Sequence, residues 1–260
     1  MGKIREKFEE LRNKGKKAFI PYLTFGFPTL KDFEALLYVL DSAGSDFIEI
    51  GFPFSDPIAD GPIIQISSQT ALDRGVNFLK LFSFFKRVKR NINTPLILMS
   101  YYNPIYDMGL DNFFKKAHPL LEGLIIPDLL PEEGEDFLKK AKTYNIDTVF
   151  FISPTTQEER FSLIERASSG FIYYISVTGV TGPRKSLPSS ILSHLKKVRK
   201  KTSSPVCLGF GISNRVQARK FKKYFDGIIV GSVLIKKIIE TYHRKNFLKE
   251  FKEFVLWLNS

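Results

Sequence analysis

Eight short runs rich in β-branched and aromatic residues recur along the chain: Phe19–Leu23, Phe47–Ile50, Leu96–Ser100, Leu124–Ile126, Thr148–Ile152, Ile172–Val177, Val206–Phe210 and Gly227–Val230. Amphipathic helical patterns separate them, among them LKDFEALLYVLDSAG, PEEGEDFLKKAKTYN and TQEERFSLIERASSG. In the first, Phe33, Leu36, Leu37 and Leu40 follow the helical period, and Gly44 stands where a left-handed cap is wanted. Short strands alternating with helices build a parallel sheet through βαβ crossovers. Eight such units predict a (β/α)8 barrel, a TIM barrel. An open doubly wound sheet carries the same local signals. An extra N-terminal helix, from about Lys3 to Asn13, is expected to cap the bottom of the barrel with Ile4, Phe8 and Leu11. No Pro/Ser-rich linker or shift in composition interrupts the chain, so residues 1–260 read as a single barrel domain.

Composition narrows the class. Of 260 residues, 43% are hydrophobic, enough for a substantial core. No apolar run reaches the roughly 18 residues needed to cross a bilayer. The first ten residues are charged and have no apolar stretch, unlike a secretory signal. Cys207 is the single cysteine, so no intrachain disulfide forms, and PVCLGF reads as core. A cytoplasmic location is the expectation. The net charge of +12 suits an anionic partner or a phosphorylated substrate. Its densest run, Lys196-Lys197-Val198-Arg199-Lys200-Lys201, ends a helical pattern, where cations favour the dipole's negative end. No zinc-finger spacing or RNA-binding signature accompanies it, so nucleic acid is not the expected partner. His118, His194 and His243 are scattered without ligand spacing, and no metal is expected.

Two strand-to-strand intervals are longer than the rest. Their extra residues lie largely in FPFSDPIADGPIIQ, after the second strand, and TGVTGPRKSLPSS, after the sixth. Both follow strand C-termini, the side on which barrel enzymes carry their active sites. Alternation puts Phe47 and Glu49 on one face of the second strand, Ile48 and Ile50 on the other. An inward Glu49 near the mouth would have its pKa raised into the acid/base range. The alternative is a structural glutamate paired with a barrel cation, but no Lys or Arg occupies an identifiable inward strand position. Asp56 and Asp60 sit in ordinary turn contexts, Ser-Asp-Pro and Ala-Asp-Gly. Asp60 is also placed to swing over the mouth and accept a substrate N–H.

Glycine-rich corners follow strands six, seven and eight: TGVTGPR, GFGIS and Gly231-Ser232. Backbone N–H groups at a helix start bind phosphate, and glycines allow close approach. Tyr22, Tyr101, Tyr102 and Phe210 at strand ends fit either a core or the wall of a slot. Such a slot, between phosphate site and carboxylate, suits a flat aromatic substrate with a phosphorylated tail.

Together these stretches resemble the α subunit of tryptophan synthase. The resemblance runs through AFIPYLTFGFPT, DFIEIGFPFSDPIADGPIIQ, PLILMSYYNPIY, GLIIPDLLPEE, FFISPTT, IYYISVTGVTGPR, LGFGIS and GIIVGS, essentially the whole chain. It implies a (β/α)8 barrel that cleaves indole-3-glycerol phosphate to indole and glyceraldehyde 3-phosphate by a retro-aldol reaction. By the same resemblance Glu49 is the principal acid/base. Asp60 holds the indole N–H, and Thr181 orients Asp60 as the loops close. Gly182, Gly211, Gly231 and Ser232 hold the phosphate, while Tyr22, Ile64, Tyr101, Ile125, Ile152, Tyr173 and Phe210 wall the slot. Family members join a pyridoxal-phosphate β subunit in an α2β2 heterotetramer, partly through the loop carrying Pro53 and Asp56, and pass indole to it. The resemblance implies no cofactor in this chain. Arg184, beside the phosphate glycine, either adds charge there or faces solvent. The rivals are a stand-alone indole-releasing lyase, another phosphate-sugar barrel, and a basic nucleic-acid-binding barrel.

Overall fold

The computed structural model describes residues 2–175, 189–209 and 215–260. Among these, eight parallel strands close into a barrel in chain order. They are β1 (Ala18–Thr24), β2 (Ile48–Gly51), β3 (Leu96–Met99), β4 (Gly123–Ile125), β5 (Asp147–Ile152), β6 (Ile172–Ile175), β7 (Val206–Gly209) and β8 (Gly227–Val230). Because β1 pairs with both β2 and β8, the barrel is closed and the open sheet is excluded. The strands match the sequence expectation within a residue or so. Residues 176–177 and Phe210, expected as strand ends, lie outside the described residues.

The register explains where the inward side chains stand. Tyr22 aligns with Glu49, Glu49 with Ile97, Ile97 with Gly123 and Gly123 with Asp147. Strands tilt in a closed barrel, so this row descends from Tyr22 near the mouth to Asp147 at the floor. The helix Lys3–Asn13 seals that floor, as expected, with Ile4, Phe8 and Leu11 buried. Phe8 stacks on Phe47 at 5.0 Å and meets Phe171 edge-on at 5.7 Å. Gly123 is needed beneath it: a Cβ there would come within 2.5 Å of Ile4 Cδ1. The helix has no side-chain cap of its own. Instead Asp147 Oδ2 accepts the Ile4 amide proton at 3.0 Å, which sets a carboxylate at the positive end of the dipole.

Strand starts at the floor need partners for their amides. A polar side chain shortly before each even-numbered strand supplies one to the preceding odd strand. Asp46 accepts from Phe19 N at 2.8 Å, Glu122 from Leu96 N at 2.8 Å, Ser169 from Thr148 N at 2.9 Å and Asp226 from Val206 N at 2.9 Å. The basic run ends the helix Ser189–Lys201. Lys197 and Lys201 both pair with Glu158, at 2.8 and 3.1 Å, and Arg199 pairs with Asp226 at 3.1 Å. Among the described residues no helix is long and apolar enough to cross a membrane.

At the mouth, the long insertion after β2 is loop first and helix at its end. Its end, Pro-Ile-Ile-Gln, opens the helix Pro62–Asp73, which the helix Phe78–Val88 follows. Proline is suited to the first helical position, where its missing N–H is not required.

Candidate active site

Glu49 stands in the middle of β2 and is 1% exposed. Among the described residues its Oε2 is a buried oxygen with no hydrogen-bond partner. Burial, reinforced by the nearby Asp60 charge, pushes its carboxyl up to about 8. The structural alternative, a glutamate neutralised by a barrel cation, finds no support among the described residues: no salt bridge involves Glu49.

Asp60 approaches from the loop between β2 and the helix Pro62–Asp73. Burial pushes its carboxyl up to about 6, and a hydrogen bond from the Tyr101 hydroxyl keeps it from rising further. Asp60 is fixed to the helix behind it, since its carbonyl accepts from Gln65 Nε2 at 2.8 Å. The other end of the loop is held where Phe52 N donates to the Met99 carbonyl at 2.8 Å and the Phe52 ring stacks on Phe78 at 3.9 Å. The two carboxyl groups thus titrate in separate ranges. Near neutral pH Glu49 keeps its proton while Asp60 is mostly ionised.

Phenols surround the pair. Tyr22, aligned with Glu49, feels Asp60 and then Glu49; burial first and those charges second push its hydroxyl well up. Tyr173 on β6 is likewise raised, by burial and then by Glu49. Two glycines make room for these rings. A Cβ at Gly51 would lie 1.9 Å from Tyr22 Oη, and one at Gly209 would lie 2.0 Å from the Tyr173 ring. Tyr22, Glu49, Asp60, Tyr101 and Tyr173 therefore come together at one end of the barrel.

Ile64 is buried in the first turn after Asp60, and Ile125 ends β4 fully buried. Ile152, at the end of β5, is also fully buried. Phe151, which the sequence reading passed over, meets the Tyr173 ring at 4.9 Å. The alternating pattern of β5 held the signal for it. Thr24, Ser67 and Phe54 were missed as well. Pro53 is buried and Asp56 exposed, on a loop whose Ile58 is 82% exposed.

Gly231 precedes the helix Ser232–Thr241, so the corner after β8 does open a helix. A Cβ at Gly231 would touch the Tyr22 ring at 3.5 Å, which puts this corner beside the slot. Thr181, Gly182, Arg184, Phe210 and Gly211 lie outside the described residues. The histidines are engaged elsewhere: His118 Nδ1 contacts the Tyr144 carbonyl at 2.6 Å, His194 lies between Tyr174 Oη at 3.0 Å and the Thr156 carbonyl at 3.3 Å, and His243 meets the Tyr242 ring edge-on at 5.8 Å. Among the described residues no cluster of three or more His, Cys, Asp or Glu side chains is placed to hold a metal. Cys207 is buried, as expected of a core residue, and its thiol is pushed well up.

The family model for the tryptophan synthase alpha chain matches residues 8–258. A tryptophan synthase alpha chain from Thermoanaerobacter sp. is 41% identical over 256 residues, spanning 98% of this chain and 97% of that one. The chain belongs to the tryptophan synthase alpha chain family. Solved structures of the family agree with the fold. Tryptophan synthase subunit alpha from Legionella pneumophila matches with a TM-score of 0.92 at 30% identity, covering 100% of this chain and 97% of that chain. A chain of a tryptophan synthase complex from Pyrococcus furiosus matches with a TM-score of 0.82 at 34% identity, covering 93% and 97%. The reaction of the tryptophan synthase alpha family is the cleavage of indole-3-glycerol phosphate, a carbon–carbon lyase reaction.

Proposed function

We propose that this chain cleaves indole-3-glycerol phosphate to indole and glyceraldehyde 3-phosphate, with Glu49 and Asp60 as its two working carboxyl groups. The observation that carries the assignment is a glutamate buried mid-strand whose Oε2 has no hydrogen-bond partner among the described residues, with the Asp60 charge near it; burial raises both carboxyls, Glu49 to about 8 and Asp60 to about 6. Protonated Glu49 gives its proton to C3 of the indole ring, which becomes cationic. Ionised Asp60 accepts the ring N–H and stabilises that charge. Glu49, now a carboxylate, takes the proton of the side-chain hydroxyl next to the breaking bond. As the aldehyde forms, the carbon–carbon bond breaks and its electron pair returns to the ring. Glu49 ends protonated, as it began, so protons and electrons balance without a redox partner.

Gly231 and Ser232 support a phosphate site, because the first N–H groups of the helix Ser232–Thr241 have no intrahelical acceptor. Gly182 and Gly211 complete that site in this reading, and Thr181 orients Asp60 over the substrate. Tyr22, Ile64, Tyr101, Ile125, Ile152, Tyr173 and Phe210 wall the slot.

The partner is a tryptophan synthase β subunit, which holds the pyridoxal phosphate and receives the indole within an α2β2 assembly in the cytoplasm. Supporting this is the description of one solved relative as a tryptophan synthase complex. The exposed Ile58, on the loop of Pro53 and Asp56, offers an apolar contact for docking.

The test is to incubate the chain with indole-3-glycerol phosphate and measure free indole, with and without a β subunit. Wild type releases indole, faster with β. Glu49→Gln folds but loses at least about 10²-fold in kcat, in line with general acid–base catalysis. A Glu49→Gln variant with more than about a tenth of wild-type turnover removes Glu49 from the role.

A further inference from the structure

Behind the two carboxyl groups lies a set of hydroxyls that the proposed reaction leaves unused. Thr24, the last residue of β1, is 1% exposed, and Ser67, on the helix Pro62–Asp73, is 0% exposed. Their hydroxyl oxygens are 2.6 Å apart, so strand and helix are joined through side chains. On the strand side, Thr24 Oγ1 is 3.3 Å from Tyr22 Oη. On the helix side, Ser67 Oγ donates to the Ile64 carbonyl at 2.8 Å. The chain of hydroxyls therefore runs from a phenol in the site to the first turn of the helix behind Asp60.

Both ends of that chain reach the working groups. Tyr22 is the register partner of Glu49 and leans over Gly51, two residues further along the same face of β2. Asp60 moves with the helix, because Gln65 Nε2 holds its carbonyl at 2.8 Å and Gln65 N donates to the Gly61 carbonyl at 3.0 Å. A serine inside a helix ordinarily bonds back to its own helix and goes no further. Here the same hydroxyl also crosses to the barrel wall. Alanine and valine would fill these two places without any buried polar atom to satisfy. Two paired hydroxyls instead fix a single geometry.

We propose that Thr24 and Ser67 are positioning residues: their paired hydroxyls lock the helix Pro62–Asp73, and Asp60 with it, against the strand that sets Tyr22 beside Glu49. The proposal rests on the reading that Glu49 and Asp60 act on one substrate. Catalysis is sensitive to small displacements of such groups, which gives the lock a role in turnover beyond stability.

The experiment compares wild type with Ser67→Ala, Thr24→Val, their double variant and Thr24→Ser, which keeps a hydroxyl. Indole release gives kcat and KM, melting gives folding, and amide hydrogen exchange in the unliganded chain follows residues 53–61. Each single loss of a hydroxyl lowers kcat by about three- to tenfold, the size of one neutral hydrogen bond, with a smaller change in KM. The double variant falls no further than the worse single, as expected of a shared unit. Thr24→Ser recovers most of the rate, and exchange over 53–61 quickens in Ser67→Ala. Wild-type kcat in both single variants, losses that multiply in the double, or unchanged exchange over 53–61 would each overturn the lock. If wild type releases no indole, the proposed reaction fails, and the exchange measurement still decides whether the hydroxyls anchor the loop.

Discussion

The Tyr101 hydroxyl accepts the Ala59 amide proton at 2.9 Å while the Tyr101 ring stacks on Phe54 at 5.1 Å. One side chain, two residues past the end of β3, thus grips the Asp60 loop on both of its shoulders. The same hydroxyl hydrogen-bonds the Asp60 carboxylate and lowers its pKa. Tyr101→Phe keeps the stack and removes both polar contacts. Turnover should fall by about tenfold, the scale of one or two lost hydrogen bonds. The acid limb of the pH–kcat profile should also move to higher pH, because Asp60 loses the bond that favours its ionised form. An unmoved acid limb would show that Asp60 does not depend on Tyr101.

The two carboxyl groups set the shape of the wild-type profile. Asp60 must be ionised, so kcat should rise as pH passes through about 6. Glu49 must begin protonated, so kcat should fall as pH passes through about 8. The expected curve is a bell between those values. Asp60→Asn should abolish the acid limb and leave the alkaline one. Its lower kcat should exceed any change in KM, because the charge matters most once the ring is cationic. A profile that rises through pH 8 without a fall would contradict the assignment of Glu49 as the initial acid.

Burial of Glu49 also has a cost in stability, and its sign is fixed. The folded-state pKa, about 8, lies above the ordinary 4.5. The native state therefore holds its proton where the unfolded chain releases it. The resulting stabilisation is full below pH 4.5, shrinks as pH rises and is gone above about 8. Glu49→Gln has no proton to lose there. The variant should gain on wild type from pH 5 to about pH 8 and then hold level to pH 9, by a margin on the order of a few kcal/mol. Denaturant melts of both proteins at those two pH values measure the gap. A gap that stays constant would mean that Glu49 is not held protonated in the fold.

Much of this arrangement was legible in the sequence because it depends on period. Alternation in Phe47-Ile48-Glu49-Ile50 gave Glu49 its face, and the eightfold recurrence of strand and helix gave the closed barrel. Features that rest on distant partners were not legible. Asp147 starts β5 and caps a helix 143 positions earlier, a contact that no local pattern carries. Thr24 and Ser67 read as ordinary small polar residues until the fold brings them to 2.6 Å. The Pro62 helix start was hidden by neighbours that are equally good turn formers, Asp60 and Gly61. Phe151, next to Ile152, was marked only by the alternation of β5, and the fold brings its ring to 4.9 Å from that of Tyr173.

The phosphate corner offers a test in which folding and binding separate. Gly231 has φ −114°, a value open to any residue, and an added Cβ would meet the Tyr22 side chain at 3.5 Å, an ordinary contact. Gly231→Ala should therefore fold with a nearly unchanged Tm. The same methyl stands at the start of the helix Ser232–Thr241, where an anion would approach the free N–H groups. KM for indole-3-glycerol phosphate should rise by about tenfold, the effect of losing one charge-assisted hydrogen bond, while kcat at saturation changes less. Glycerol phosphate should raise the melting temperature of wild type through binding to the native state and raise that of the variant less. Equal protection of the two proteins would place the phosphate away from Gly231, and the corner after β8 would then serve only to start its helix.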